Sequence, residues 1–480
     1  MSTRKSLLFS FLDRYASLAI SIVSSMVIAR LLTPSEIGVF SVTMVLLAFV
    51  TTVRDMGAGS YLVQEKELTT DRIRAVWAVQ LGLGLILACV VLLASYPVSV
   101  FYHEPRMLNI MFVISLNYAV NPFGSLTYAW LMREMRFKSI AVMRFSAALV
   151  GALVSTGFAW ANYGPISLAF GSLASIVVNA ILAVYFRPES FPWMPGVKEI
   201  KRVLSFGSKI TGTSLVGVLS GGTSELLLGK LQDLTAVGLY SRASGLVQMF
   251  QRLFVDAVGV VCLPWFSKQS REQGGFVESY IKATLYVSAC GWSFCLLVIC
   301  LAHPLVRFLY GPQWDQAVDL ARLLAVAAAF AIPVILGQVA LLASGAVAPM
   351  ARLTVLCAFQ NVGFMALGAY LGLWAIGFAA ILSAIVASSL WLRTTSRHVG
   401  FSLTQLIPGM RQSALVALLA GLGPFLVLCF YGPYPEAVLL PLFLGSFGGI
   451  VGFVAGVYLF QHPLQEELGP LWVRLQKKLR

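Results

Sequence analysis

Long runs without a single charged residue recur along this 480-residue chain, among them 75–102, 145–186, 353–392 and 437–461. A helix crosses a bilayer with about 20 mostly apolar residues. Inside lipid every backbone N–H and C=O must be paired within the span. With 58% apolar and only 11% charged residues, a water-soluble fold is excluded. The expectation is an all-α polytopic membrane protein. The longest runs hold two helices each, because Asn162-Tyr163-Gly164-Pro165 interrupts 145–186 and Gly372 interrupts 353–392 with turn residues. Counted in this way, the chain has about 14 transmembrane helices.

Charge supplies the orientation. With a cytoplasmic N-terminus, 25 basic residues fall in inside segments. Only Arg30, Arg106, Lys230, Arg307 and Arg322 fall outside or at outer ends. This positive-inside bias predicts a multi-pass protein with an even number of spans and both termini cytoplasmic. Topology then accounts for the net charge of +14, and no nucleic-acid partner is needed. The basic start resembles a secretory leader, but Asp13-Arg14 breaks its apolar stretch, so it reads as the first span. The seven cysteines form no CxxC or Cys/His cluster, which points to packing. No metal and no cofactor are expected.

One phrase occurs twice. Residues 29–46 (ARLLTPSEIGVFSVTMVL) and 229–246 (GKLQDLTAVGLYSRASGL) align at an offset of 200, matching Leu31 with Leu231, Gly38 with Gly238 and Ser41 with Ser241. Each copy joins one span to the next, with six spans between them, so both face the same side. That spacing describes two six-helix lobes in a parallel pseudo-two-fold repeat, plus two C-terminal helices. A weaker echo sets Phe101-Tyr102-His103-Glu104-Pro105 against Leu309-Tyr310-Gly311-Pro312. The expected domains are an N-terminal lobe at 1–190, a cytoplasmic amphipathic linker at 191–205 and a C-terminal lobe at 206–400. Helices 13 and 14 follow at 401–460, then a basic cytoplasmic tail at 461–480. Within the linker, 197–206 suits an amphipathic helix on an anionic leaflet.

The segments ARLLTPSEIGVF, DMGAGSYLVQEKELTTDRIRAVW, LMREMRFKSIA, GLYSRASGL, LPWFSKQ and LYGPQWDQAVDL occur in order. They resemble the polysaccharide-transporter branch of the multidrug/oligosaccharidyl-lipid/polysaccharide flippase superfamily. The resemblance covers roughly residues 5 to 330 and implies fourteen helices in two lobes. It implies a flippase, not an enzyme. The implied activity moves undecaprenyl-pyrophosphate-linked oligosaccharide across a bacterial inner membrane for exopolysaccharide, capsule or lipopolysaccharide synthesis. The partners implied are lipid-linked oligosaccharide, membrane lipids, and polysaccharide polymerase and export machinery around a monomer.

Charges inside spans are costly, about 2.5–3.5 kcal/mol on the insertion scale, and usually face a bundle interior or watery cavity. Arginine pairs bidentately with phosphate. Arg14, Arg242, Arg252, Arg30 and Arg54 are therefore the substrate-binding candidates for a pyrophosphate headgroup. Local pairing is the competing reading, since Arg252 stands four residues from Asp256 and Arg14 adjoins Asp13. Glu225, Asp13 and Asp256 are the ion-coupling candidates. Glu225 has no basic residue within a helical turn and follows Gly221-Gly222.

Three other activities compete. An ion-coupled multidrug exporter of the same superfamily should prefer acids to arginines in its spans. A peptidoglycan-precursor flippase resembles the motifs less closely. A membrane-embedded glycan polymerase or ligase needs a sizeable outward loop carrying acid–base chemistry, and 303–318 offers little.

Overall fold

The computed structural model describes residues 3–55, 58–65, 67–189, 191–272 and 274–467, and among them every regular element is helical. Contacts divide the chain into two units, Met1–Gly238 and Leu239–Arg480. Among the described residues twelve helices are long and apolar enough to cross a membrane, with Tyr15–Leu31 as a shorter apolar helix. The expected count of fourteen therefore holds approximately.

The first unit contains α1 (Thr3–Leu31), α2 (Pro34–Asp55), the short α3 (Ala58–Gln64), α4 (Thr70–Tyr102) and α5 (Arg106–Arg133). It continues with α6 (Phe137–Trp160), α7 (Ile166–Tyr185) and α8 (Ile200–Leu231). The most buried of these is α5, which packs on α4 and α7, while α2 and α4 pack on α8. Lipid gives apolar helices no reason to prefer each other, so polar pairs and close backbone approach hold such bundles together. Asn117 Nδ2 donates to Ser172 Oγ at 2.9 Å and Ser125 Oγ to Gln80 Oε1 at 2.9 Å.

The repeated phrase now has a local explanation. Thr33 and Glu36 form a reciprocal cap at the start of α2. Thr33 N donates to Glu36 Oε2 at 2.8 Å, and Glu36 N donates to Thr33 Oγ1 at 3.3 Å. In the second copy Asp233 Oδ1 accepts from Ala236 N at 2.6 Å. The two starts pack on each other through their glycines. A Cβ on Gly38 would overlap the carbonyl oxygen of Leu234, and one on Gly238 would overlap that of Pro34. Each glycine thus receives the backbone four residues before the other.

Between α7 and α8 the chain departs from the expected amphipathic helix. Residues 187–189 and 191–199 carry no helix, and the helical part of the expected 197–206 stretch begins at Ile200 as the first turns of α8. Pro188, Pro192 and Pro195 remove backbone donors that a helix would need. The irregular backbone is fastened to α4, with Trp77 Nε1 donating to Trp193 O at 3.0 Å and Gly196 N to Arg74 O at 3.1 Å.

At the border of the units α9 (Leu234–Phe250) begins, continues through a π turn at Gln251–Val255, and runs on as α10 (Asp256–Arg271). The second unit follows with α11 (Phe276–Leu309), a 3-10 segment (Pro312–Ala317), α12 (Val318–Ala331), α13 (Gly337–Ala343) and α14 (Val347–Leu371). It ends with α15 (Leu373–Val399), α16 (Leu403–Tyr431) and α17 (Leu439–Leu459). Its core forms where α11 packs on α12, α16 and α17.

The chain beyond α17 is pinned back onto the second unit. Buried His462 accepts at Nδ1 from Leu464 N at 3.2 Å, which leaves Nε2–H to donate to Ser413 Oγ at 2.9 Å. Lys282 Nζ pairs with Glu466 Oε2 at 2.6 Å. Residues 468–480, the rest of the expected basic tail, lie outside the described residues.

Burial holds the His462 imidazole down at about 4, below its unfolded value of roughly 6.5. The unfolded chain then binds the extra proton first, so stability is present above roughly pH 6.5 and is lost as pH falls toward 4. The full shift corresponds to about 3 kcal/mol, and solvent beside the helix end reduces this to roughly 1–2 kcal/mol. Melting temperature in detergent is expected to fall on acidification across this window, and the fall should flatten in His462→Gln. An unchanged pH dependence in that variant would exclude His462 as its source.

Candidate functional site

Of the five arginine candidates, Arg242 and Arg252 share the rod formed by α9, the π turn and α10. Ten residues separate them, about 15 Å along a helix. The Arg242 guanidinium lies 5.4 Å from the Tyr310 ring centre and 5.6 Å from that of Trp314. Both rings are buried, so a planar cation rests on a rigid aromatic floor. Sequence reasoning singled out Leu309-Tyr310-Gly311-Pro312 as an echo but did not find Tyr310 or Trp314 as partners of Arg242.

The repeat sharpens the significance of Arg242. In the first copy its counterpart is Val42, which is fully buried. A Cβ on Gly229 would meet Val42 Cγ2 at 2.9 Å and Tyr102 Cε1 at 3.3 Å. Position 42 therefore sits beside Tyr102, as position 242 sits beside Tyr310. A charged arginine in one copy replaces an apolar packing residue in the other. Packing alone needs no such charge.

Arg252 lies exposed within the π turn. Such turns widen the helix and occur often at functional sites. Asp256, just after the turn, accepts from Gln251 Nε2 at 3.1 Å. Arg30 is exposed in the last turn of α1. Arg54 lies in the last turn of α2, paired with Asp55 at 2.7 Å and stacked 5.7 Å from the Tyr118 ring centre. Since α2 separates them, Arg30 and Arg54 stand about 30 Å apart. One headgroup cannot engage both at once. Arg14 and Asp13 lie on α1, but their side chains fall outside the described residues.

Glu225 lies half-buried on α8, with Oε2 enclosed and without a hydrogen-bond partner among the described residues. One turn of α8 to each side, Gly222 and Gly229 receive Val45 and Val42 of α2. Apolar neighbours and small residues account for the absence of a local cation.

Sequence reasoning missed a further cluster around Glu65. Its carboxylate pairs with Arg72 at 3.4 Å and Arg202 at 3.2 Å, while Arg133 donates to the carbonyls of Leu62 and Glu65 at 2.9 and 2.5 Å. This ties α3 to α4, α5 and the start of α8. The charge-rich stretch 65–74 was the available signal. Among the described residues no group of three or more histidine, cysteine or acidic side chains could hold a metal ion.

The architecture is that of known membrane flippases and multidrug transporters. A lipid II flippase, MurJ, in an inward closed conformation superposes with a TM-score of 0.73 at 13% identity, covering 97% of this chain and 100% of that one. An inward-facing multidrug resistance MATE transporter of the MOP superfamily gives 0.66 at 13% identity, over 80% of this chain and 94% of that one. The polysaccharide biosynthesis protein family matches residues 27–319, and the chain belongs to it.

Two relatives place it further. It is 22% identical over 315 residues to the lipopolysaccharide biosynthesis protein WzxC of Escherichia coli (strain K12), covering 64% of this chain and 63% of that protein. It is 22% identical over 329 residues to the succinoglycan biosynthesis transport protein ExoT of Rhizobium meliloti (strain 1021), covering 68% and 66%. The chain thus spans a little under two thirds of the length of these two relatives. The expected membership of a polysaccharide family is borne out by the match over residues 27–319, and the fold is the one seen in a transporter of the MOP superfamily.

Proposed function

We propose that the chain is a flippase that moves undecaprenyl-pyrophosphate-linked oligosaccharide across a bacterial inner membrane, with both termini cytoplasmic and alternating access between two lobes. Family membership over residues 27–319 carries this reading. Relatives named for lipopolysaccharide and succinoglycan synthesis support a glycan cargo. The fold of a lipid II flippase supports a lipid carrier. No covalent chemistry is required of the protein, only recognition of a phosphate-bearing headgroup and a change of side. Arg242, Arg252 and Arg14 are the proposed headgroup ligands. Arg30 and Arg54 act at most in succession, given their separation. The MATE fold keeps an ion-coupled drug exporter as the second reading.

The deciding experiment follows a labelled lipid-linked oligosaccharide across reconstituted vesicles. Arg252→Ala and Arg14→Ala are each expected to slow translocation by about tenfold or more, the scale of a lost charge-assisted hydrogen bond of ~1.5–3 kcal/mol. Lysine at either position should restore only part, because it keeps the charge without the planar fork. Wild-type rates in both alanine variants would refute the headgroup assignment. Export of cationic drugs without glycan movement would favour the second reading.

A further inference from the structure

His303 lies near the end of α11, 21 residues and about 30 Å along the helix from Lys282, and it faces Asp315, the neighbour of the Trp314 on which Arg242 rests. The helix breaks there. Leu301 has non-helical angles (φ −104, ψ 19) and Pro304 follows, removing a backbone donor that the preceding turn needs. Arg322 of α12 fills part of the gap, with Nε donating to Ile299 O at 3.3 Å. The same guanidinium pairs with Asp319 Oδ1 at 2.6 Å and donates to Pro433 O at 3.1 Å. Pro433 belongs to the loop between α16 and α17, whose Tyr434 hydroxyl donates to Asp319 Oδ2 at 2.8 Å.

His303 is the buried centre of this network. It is 2% exposed, and its ring meets Tyr434 edge-on with centroids 5.2 Å apart. Its Nε2 stands 3.9 Å from Asp315 Oδ1. Asp315 is already held by Arg307, through Nε at 2.9 Å and Nη2 at 2.7 Å. Its Nδ1 has no hydrogen-bond partner among the described residues. The charged or titratable groups around it are Arg307 on α11, Asp315 in the 3-10 segment, Asp319 and Arg322 on α12, and Tyr434 in the loop.

We propose that His303 is a proton-binding site and that the α16–α17 loop, residues 432–438, is released when the proton binds. The neutral ring fits the observed packing. With its proton on Nε2 toward Asp315, Nδ1 is only an unfilled acceptor. Protonation makes Nδ1 a buried cationic donor, which is far more costly to leave unpaired. Two arginines crowd the same site. Asp315 stands on the Nε2 side, 3.9 Å away, and so offers nothing to Nδ1. For Nδ1–H to find an acceptor, the ring must turn against Tyr434. Moving Tyr434 breaks its bond to Asp319 and uncovers Arg322, so proton uptake and loop release are linked equilibria. This site does not depend on the identity of the transported molecule.

Two measurements on the full-length protein in lipid nanodiscs test the proposal. In wild type, amide exchange of 432–438, corrected for intrinsic rates, is expected to rise about tenfold or more as pH falls from roughly 6.5 to roughly 4.5, the acid side of the ordinary histidine range, where a buried ring beside two arginines takes up its proton. In His303→Gln, which cannot take the charge, it should stay flat. Equal rises in both proteins, or no rise in wild type, would overturn the proposal. If the glutamine variant does not fold, ring-nitrogen NMR of the four histidines decides. Absence of a His303 titration accompanying the loop's exchange transition would reject the site.

Discussion

Replacing Gly38 or Gly238 by leucine is expected to abolish accumulation of folded protein, and replacing either by alanine to remove most transport. The obstruction is backbone, since the added Cβ falls on the carbonyl oxygens of Leu234 and Pro34. A flexible side chain could rotate away, but a helix-start carbonyl moves only with its helix. Overpacking in a well-packed core usually costs about 1–3 kcal/mol, and a clash that displaces two helix starts belongs at or beyond the top of that range. Gly82 on α4 is the control, because a Cβ there meets nothing within 4 Å. Detergent-extracted yield and melting temperature should be normal in Gly82→Ala and reduced in Gly38→Ala and Gly238→Ala. Wild-type stability and transport in both alanine variants would show that the reciprocal contact is dispensable.

Glu225 is expected to behave in the opposite sense, with substitution helping stability and harming function. An enclosed carboxylate oxygen without a partner carries a desolvation cost of about 1–3 kcal/mol, more when ionised. Glu225→Gln removes the charge, and Glu225→Leu removes the polar group as well, so melting temperature should rise, more for leucine. A residue retained at such a cost is a candidate for work in the transport cycle. If it binds and releases a proton between two states of unequal affinity, both variants should lose stimulation of headgroup translocation by an imposed proton gradient. Gradient-stimulated flipping at the wild-type rate in Glu225→Gln would leave Asp13 and Asp256 as the coupling candidates. A drop in both stability and transport would make the carboxylate structural.

The helices were legible because lipid punishes charge and unpaired backbone with the same severity along every span. Uncharged runs bounded by residues such as Asn162, Gly164 and Gly372 could therefore be read directly. The isolation of Glu225 was legible for the same reason, since no cation lies within a turn of it. Arg242 could be marked as an intramembrane charge, but its floor of Tyr310 and Trp314 lies some seventy residues away and depends on how two distant helices meet. The helix expected near 197–206 failed upstream of Ile200. Its apolar and basic pattern was real, yet the prolines and the hydrogen bonds to Arg74 and Trp77 prevailed. The repeat was visible in the letters. That its two glycines face each other was a question of packing.

The π turn at Gln251–Val255 also sets the two copies apart. The second member of the first copy, α2, runs from Pro34 to Asp55 as uninterrupted α-helix. Its counterpart matches it at an offset of 200 as far as Leu46 and Leu246, and beyond that the helix widens. Arg252, inside the turn, stands opposite Thr52 at the offset of 200. Whatever the second copy does through Arg252, it does from a widened helix that the first copy does not have.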